Sequence, residues 1–185
     1  MQNKMYRLFY DYKDKNDVLE IFFINKKEDK KEQIGDVIYY YSNNDIVKIE
    51  ILNISNYMKI KTSGMIINPI NDIVDILNSI LINNGDKYRL NKNNPSGFKI
   101  GHVLEKDECF YQVDIGKIIT VIDDRDIKVD SYVIVGDIGT LLSDKNILTK
   151  YKIVTYKDIG INDNEEIAYI EKDKVGKDFF ENKGV

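Results

Sequence analysis

The chain has no tryptophan, one cysteine, one histidine and two prolines among 185 residues. A single cysteine excludes an internal disulfide and suits a reducing cytosol. His102 and Cys109 are the only soft metal ligands, seven positions apart. A zinc site wants three or four convergent Cys or His residues, so no metal and no other cofactor is expected. Neither residue has an evident triad partner, which leaves nucleophilic catalysis unsupported. A glycine-rich phosphate loop is also missing, because Gly136 and Gly139 lack the lysine and helix that would follow. No apolar run approaches a membrane span. The start, MQNKMYRLFYDYK, has neither the apolar core nor the small-residue cleavage site of a signal peptide. Finally, an excess of positive charge is absent. The formal net charge is −4, with no basic footprint for strong non-specific nucleic-acid binding. These absences point to a cytoplasmic, non-catalytic protein with no membrane contact.

What is present begins with 43% hydrophobic residues, enough for packed cores in one large domain or two small ones. Residues 5–12 and 17–24 alternate weakly around Lys13-Asp14-Lys15-Asn16 and read as a hairpin. Residues 26–33, KKEDKKEQ, form a mixed charge run expected as a solvated loop. A second hairpin is expected from 36–41 and 46–53, turning at Asn43-Asn44-Asp45, with short strands near 58–61 and 64–67. Tyr39, Tyr40 and Tyr41 alternate between the two faces and are expected in sheet packing.

One helix is expected over about 69–83. Asn68 would cap it, Pro69 would take its first position, and Gly85 would end it. Ile70, Ile73, Val74, Leu77, Ile80 and Leu81 recur at three- and four-residue steps and give it one apolar face. That face should lie across the antiparallel sheet. Asp72 and Asp75 fall in its first turns, where the helix dipole favours negative charge. With Glu50 they need no catalytic explanation. Residues 91–97, NKNNPSG, hold turn formers and no apolar residue, and are expected to be a linker.

From Phe98 onward, short apolar runs are punctuated by Gly101, Gly116, Gly136 and Gly139, with no helix between them. Regular strands joined by glycine or acidic turns predict a small five-stranded barrel over 98–170. The runs 151–156 and 165–170 supply its last strands, and Phe179 and Phe180 should pin the tail before the chain frays at its end.

This stretch resembles a known family. Ile100-Gly101-His102-Val103, Val113-Asp114-Ile115-Gly116, Ile127-Lys128-Val129, and Tyr132-Val133-Ile134-Val135 with Gly139 seven residues after Tyr132, are similar to the tRNA-binding OB domain of the phenylalanyl-tRNA synthetase β chain. The same domain occurs in stand-alone bacterial tRNA-binding proteins. The first half resembles the N-terminal domain of those proteins through Gly35-Asp36-Val37-Ile38, the run Lys48 to Ser55, Leu77-Asn78 and Gly85. The resemblance implies an α+β domain of unknown role over 1–90, a linker over 91–97 and an OB-fold barrel with a C-terminal tail over 98–185. The whole is mostly β with one helix.

An RNA-binding OB face needs cations for phosphates and flat side chains for bases. The candidates are Lys99, Lys117, Arg125, Lys128, Lys145, Lys150 and Lys152, with Tyr111, Tyr132 and Tyr151 as stacking platforms. The sequence departs from the family pattern in three places. The turn Asp123-Asp124-Arg125-Asp126 carries three aspartates. Only Glu105 to Phe110 stands where a longer loop is usual. No Ser-x-Gly-Met motif precedes the closing strand. The barrel half is also the acidic one. From Gly97 on it holds 13 Lys plus Arg against 18 Asp plus Glu, a formal −5, which leaves +1 for the first 96 residues. The expectation is weak, non-catalytic binding of tRNA or another structured RNA. The alternative is a protein-interaction module whose barrel has lost its RNA contacts and docks a protein partner or a second copy of the chain.

Overall fold

The computed structural model describes residues 5–11, 16–85 and 88–181. The turn expected around residues 13–15 and the fraying expected at the last residues lie outside them. The chain divides into two compact units, one running to Asn94 and one beginning at Pro95.

The first unit is a six-stranded antiparallel sheet with one helix on it. Its strands are β1 (Arg7–Asp11), β2 (Leu19–Phe22), β3 (Lys30–Ile34), β4 (Val37–Ser42), β5 (Asp45–Ile51) and β6 (Ser63–Ile66), ordered β3-β4-β5-β2-β1-β6. The two expected hairpins are present, and Asn43 and Asn44 both take positive φ in the β4–β5 turn. Tyr39 and Tyr41 face the core while Tyr40 faces the other way beside Ile38 and Val47, as period-2 alternation requires. Helix α1 (Asn71–Asn83) buries Val74, Leu77, Ile80 and Leu81 against Leu8, Ile21, Ile49 and Ile51 of the sheet. Each such side chain contributes roughly 1.5–3 kcal/mol of gross burial.

Three expectations for this unit need correction. The helix starts later than Pro69, with Ile70 as N-cap and no side-chain cap. Asn68 is left-handed at φ +61° and Ile70 is extended, so the chain is still turning there. The first helical N–H groups, of Ile73 and Val74, donate to the Ile70 carbonyl. At the other end Gly85 follows the C-cap Asn84 at φ +79°, as expected. Second, the charge run is not a loop throughout, since Lys30–Ile34 pairs with β4 as an edge strand exposed at every position. Charged side chains protect such an edge from pairing with other chains. With no face buried, the strand leaves no hydrophobic period to read. Third, residues 58–61 form no strand. Met58 and Ile60 pack on the core after a 3₁₀ turn, Ile54–Asn56.

The second unit is also a single antiparallel sheet. Its strands are β7 (Phe98–Asp107), β8 (Phe110–Asp114), β9 (Ile118–Ile122), β10 (Tyr132–Gly136), β11 (Lys152–Ile153) and β12 (Tyr169–Ile170). The order is β11-β10-β7-β8-β9, with β12 also on β10. The sheet curls into a half-barrel, bringing β11 back beside β9. Inside lie Val103, Tyr111, Val113, Val121, Ile127, Val133, Val135 and Ile153. Gly101 permits the tight curl. A Cβ there would sit 2.7 Å from a Val135 methyl and 2.9 Å from a Val113 methyl. The tail is pinned as expected, because Phe180 is buried edge-on against Phe98.

Candidate nucleic-acid interface

The expected site residues fall into three environments. Tyr111 belongs to the core. It is fully buried, its hydroxyl donates to the Arg125 carbonyl at 2.7 Å, and the Ile127 N–H donates to that hydroxyl at 3.2 Å. Its ring presents no face to a base. Tyr132 is also occupied, stacked on His102 with centroids 4.6 Å apart and planes 9° off parallel. His102 in turn places Nε2 2.7 Å from an Asp130 carboxylate oxygen. Cys109 sits in the two-residue β7–β8 turn with Glu108 rather than in the barrel wall. Among the described residues no group of three His, Cys, Asp or Glu could hold a metal ion.

A second set is engaged in ion pairs. Arg125 clamps Asp123 with two side-chain bonds of 2.8 and 2.5 Å and donates a third to the Ile153 carbonyl. The clamp ties the acidic turn to β11. Lys152 meets Asp158 at 2.7 Å, Lys99 meets Asp137 at 2.6 Å, and Lys106 meets Asp126. In the first unit Glu50 is likewise held, by Lys48 at 2.9 Å and the Tyr40 hydroxyl at 2.7 Å.

The third set comprises the remaining lysines and Tyr151. Lys117, Lys128 and Lys150 are exposed, and Lys145 is half-buried in a left-handed turn. The Lys117 ammonium donates to the Tyr151 hydroxyl at 2.8 Å and lies 5.3 Å from the centre of its ring. Tyr151 is half-buried against the barrel core.

Several of these residues border a cleft of about 700 Å³ between the acidic turn and the 143–152 loop. Arg125, Lys150, Lys152 and Lys157 face Asp123, Asp124, Asp144, Asp158 and Glu165 across it. Most are mutually paired, which leaves Lys150 as the cation with no ion pair among the described residues. Lys128, Lys99 and Lys117 lie outside this cleft.

Burial pushes the Asp123 and Asp158 carboxyls up, but hydrogen bonds and charge from Arg125 and Lys152 outweigh it and hold both below the usual range. A depressed folded-state pKa adds stability above the unfolded value of about 3.9, and that stability is lost as pH falls through the folded one. The second unit should therefore weaken from about pH 4 downward. Urea melts across pH would show this, with Asp158→Asn less stable at pH 7 and flatter in acid. Equal acid slopes for the two proteins would refute it.

No protein-family model matches the sequence, and no curated protein matches it. Two cations that the sequence reading passed over, Lys174 and Lys177, stand beside Lys99 and Lys117 in a separate cleft. Only pairing between the tail and β7, some 75 residues apart in sequence, brings them there.

Proposed function

We propose that the second unit is an OB-type barrel that binds tRNA or another structured RNA weakly, through phosphates and modest stacking, without chemistry, in the cytoplasm. The strand order supports this reading. A three-strand meander β7-β8-β9 is followed by β10 against β7, and by β11 returning to β9, which is the connectivity of a small Greek-key barrel. The observation that carries the RNA assignment is the Lys117–Tyr151 contact. It sets a cation and an aromatic ring side by side, with Lys150 next to Tyr151 in the chain. Single-strand binders combine these two elements. The first unit has no role in this reading.

A second reading is a protein-interaction module. The outer face of β8 and β9 exposes Phe110, Ile118 and Ile122, and the nearby turn is acidic.

Filter binding of tRNA across a salt series tests the proposal. The wild type should bind in the micromolar range or more weakly, since non-specific binding spans about 10⁻⁴–10⁻⁶ M. Replacing Lys117 and Lys150 by alanine should flatten the salt slope by up to about 2. Asp124→Asn should tighten binding, because that exposed carboxylate repels phosphate. Asp123 is left intact because it holds Arg125. A wild type that retains no tRNA at low salt, together with an RNase-resistant protein captured from lysate, would favour the second reading.

A further inference from the structure

The C-terminal tail forms more of the barrel than a pinned end. Gly176 N–H donates to the Ile100 carbonyl at 2.8 Å, Ile100 N–H to the Lys177 carbonyl at 2.9 Å, and Phe179 N–H to the Phe98 carbonyl at 2.8 Å. The tail thus pairs with the first residues of β7, ahead of His102, where β8 begins its own pairing. Gly176 makes this approach possible. It takes φ +80°, and a Cβ there would lie 2.8 Å from the Ile115 carbonyl oxygen.

The crossing opens a cleft of about 870 Å³ lined, among the described residues, by four lysines, Lys99, Lys117, Lys174 and Lys177, and by two acids, Asp173 and Glu181. Lys99 also reaches Asp137, and Lys117 reaches Tyr151. The ammonium groups of Lys174 and Lys177 have neither an ion pair nor a hydrogen bond among the described residues, although the Lys174 backbone N–H donates to the Asp173 carboxylate at 2.7 Å. In a half of the chain that carries a formal −5, cations outnumber acids along this wall. Like charges held around one concavity repel unless an anion sits among them, and a concave wall focuses their field on such an anion.

We infer that this cleft is a phosphate cradle for the RNA backbone, with Lys174 and Lys177 of the tail as its principal ligands. The inference rests on the RNA-binding reading above and assigns the backbone contact to a surface outside the cleft of paired ions. Lys117 links the two surfaces. It lines the cradle and contacts Tyr151, which lines the other cleft. A phosphodiester chain held at the tail would therefore pass Lys117 toward the half-buried Tyr151.

The test is filter binding of tRNA by the full chain over a salt series. Three proteins are compared: wild type, the double variant Lys174→Ala and Lys177→Ala, and a control, Lys26→Ala and Lys27→Ala, that removes two exposed charges from the first unit. Melting midpoints are measured alongside. The tail variant is expected to keep its midpoint, bind several-fold more weakly and lose about 2 from the salt slope, with the control unchanged. A lowered midpoint would call for Lys174→Gln and Lys177→Gln, expected to give the same slope loss. Wild-type affinity and slope in the tail variant, or an equal loss in the control, would overturn the cradle and leave RNA binding standing. No retention of tRNA by the wild type at low salt would overturn both.

Discussion

Leu77→Asp is expected to lower the stability of the first unit by about 3–5 kcal/mol, enough to unfold a marginal domain. Leu77 has no exposed surface and sits mid-helix between Val74, Ile80 and Leu81. Around it are sheet side chains, and the core cluster it joins is made of aliphatic and aromatic residues with one methionine. A carboxylate there would be desolvated with no cation to pair it. Leu77→Ala gives the comparison, costing about 2–5 kcal/mol through the cavity alone. Urea melts followed by far-ultraviolet circular dichroism would show an early transition assignable to the first unit. An unchanged midpoint for Leu77→Asp would mean that this helical face is not buried.

The second large effect is expected at Tyr111. Its replacement by alanine should cost about 3–5 kcal/mol, as for other buried aromatics. Tyr111→Phe isolates the hydroxyl. That change keeps the ring in the core but strands the buried Ile127 N–H and the Arg125 carbonyl, for about 1–3 kcal/mol. Loss of the hydroxyl should also loosen the acidic turn, because Arg125 is anchored there on one side by Tyr111 and on the other by Ile153. Tyr151→Phe should behave in the opposite way. It removes the hydroxyl hydrogen bond from Lys117 while leaving the half-buried ring in place, so stability should hold. Thermal melts of the three variants would separate these roles. Equal midpoints for Tyr111→Phe and wild type would show that the hydroxyl bonds add nothing net.

The contrast between these tyrosines marks how far the sequence could reach. Both are tyrosines in the second half of the chain that the sequence offers as stacking platforms. Tyr111 points inward because β8 alternates and its neighbours Val113 and Ile115 share its side, a local period that the sequence does contain. Tyr151 lies beyond the regular strands, where no period applies. Arg125 is different again. It stands among three aspartates in the sequence, and Asp123 pairs with it.

What the sequence determined by itself is the set of elements whose signal is local. The mostly β character, the single amphipathic helix with its glycine stop, the hairpin at Asn43-Asn44 and most strand positions after Phe98 all follow from hydrophobic period and turn chemistry within about ten residues. The edge strand Lys30–Ile34 escaped because a strand exposed on both faces has no period. The helix start escaped because Asn68 turns the chain instead of capping it. Tertiary structure alone decided which charges neutralise each other and which remain open. Ion pairs such as Lys99–Asp137 and Lys152–Asp158, and the meeting of Lys174 and Lys177 with Lys99 and Lys117, depend on the curl of the half-barrel and on the tail pairing with β7. Net charge is a sum over the chain, whereas an anion responds to the field at one place on a surface. That field is set by long-range pairing no local pattern encodes.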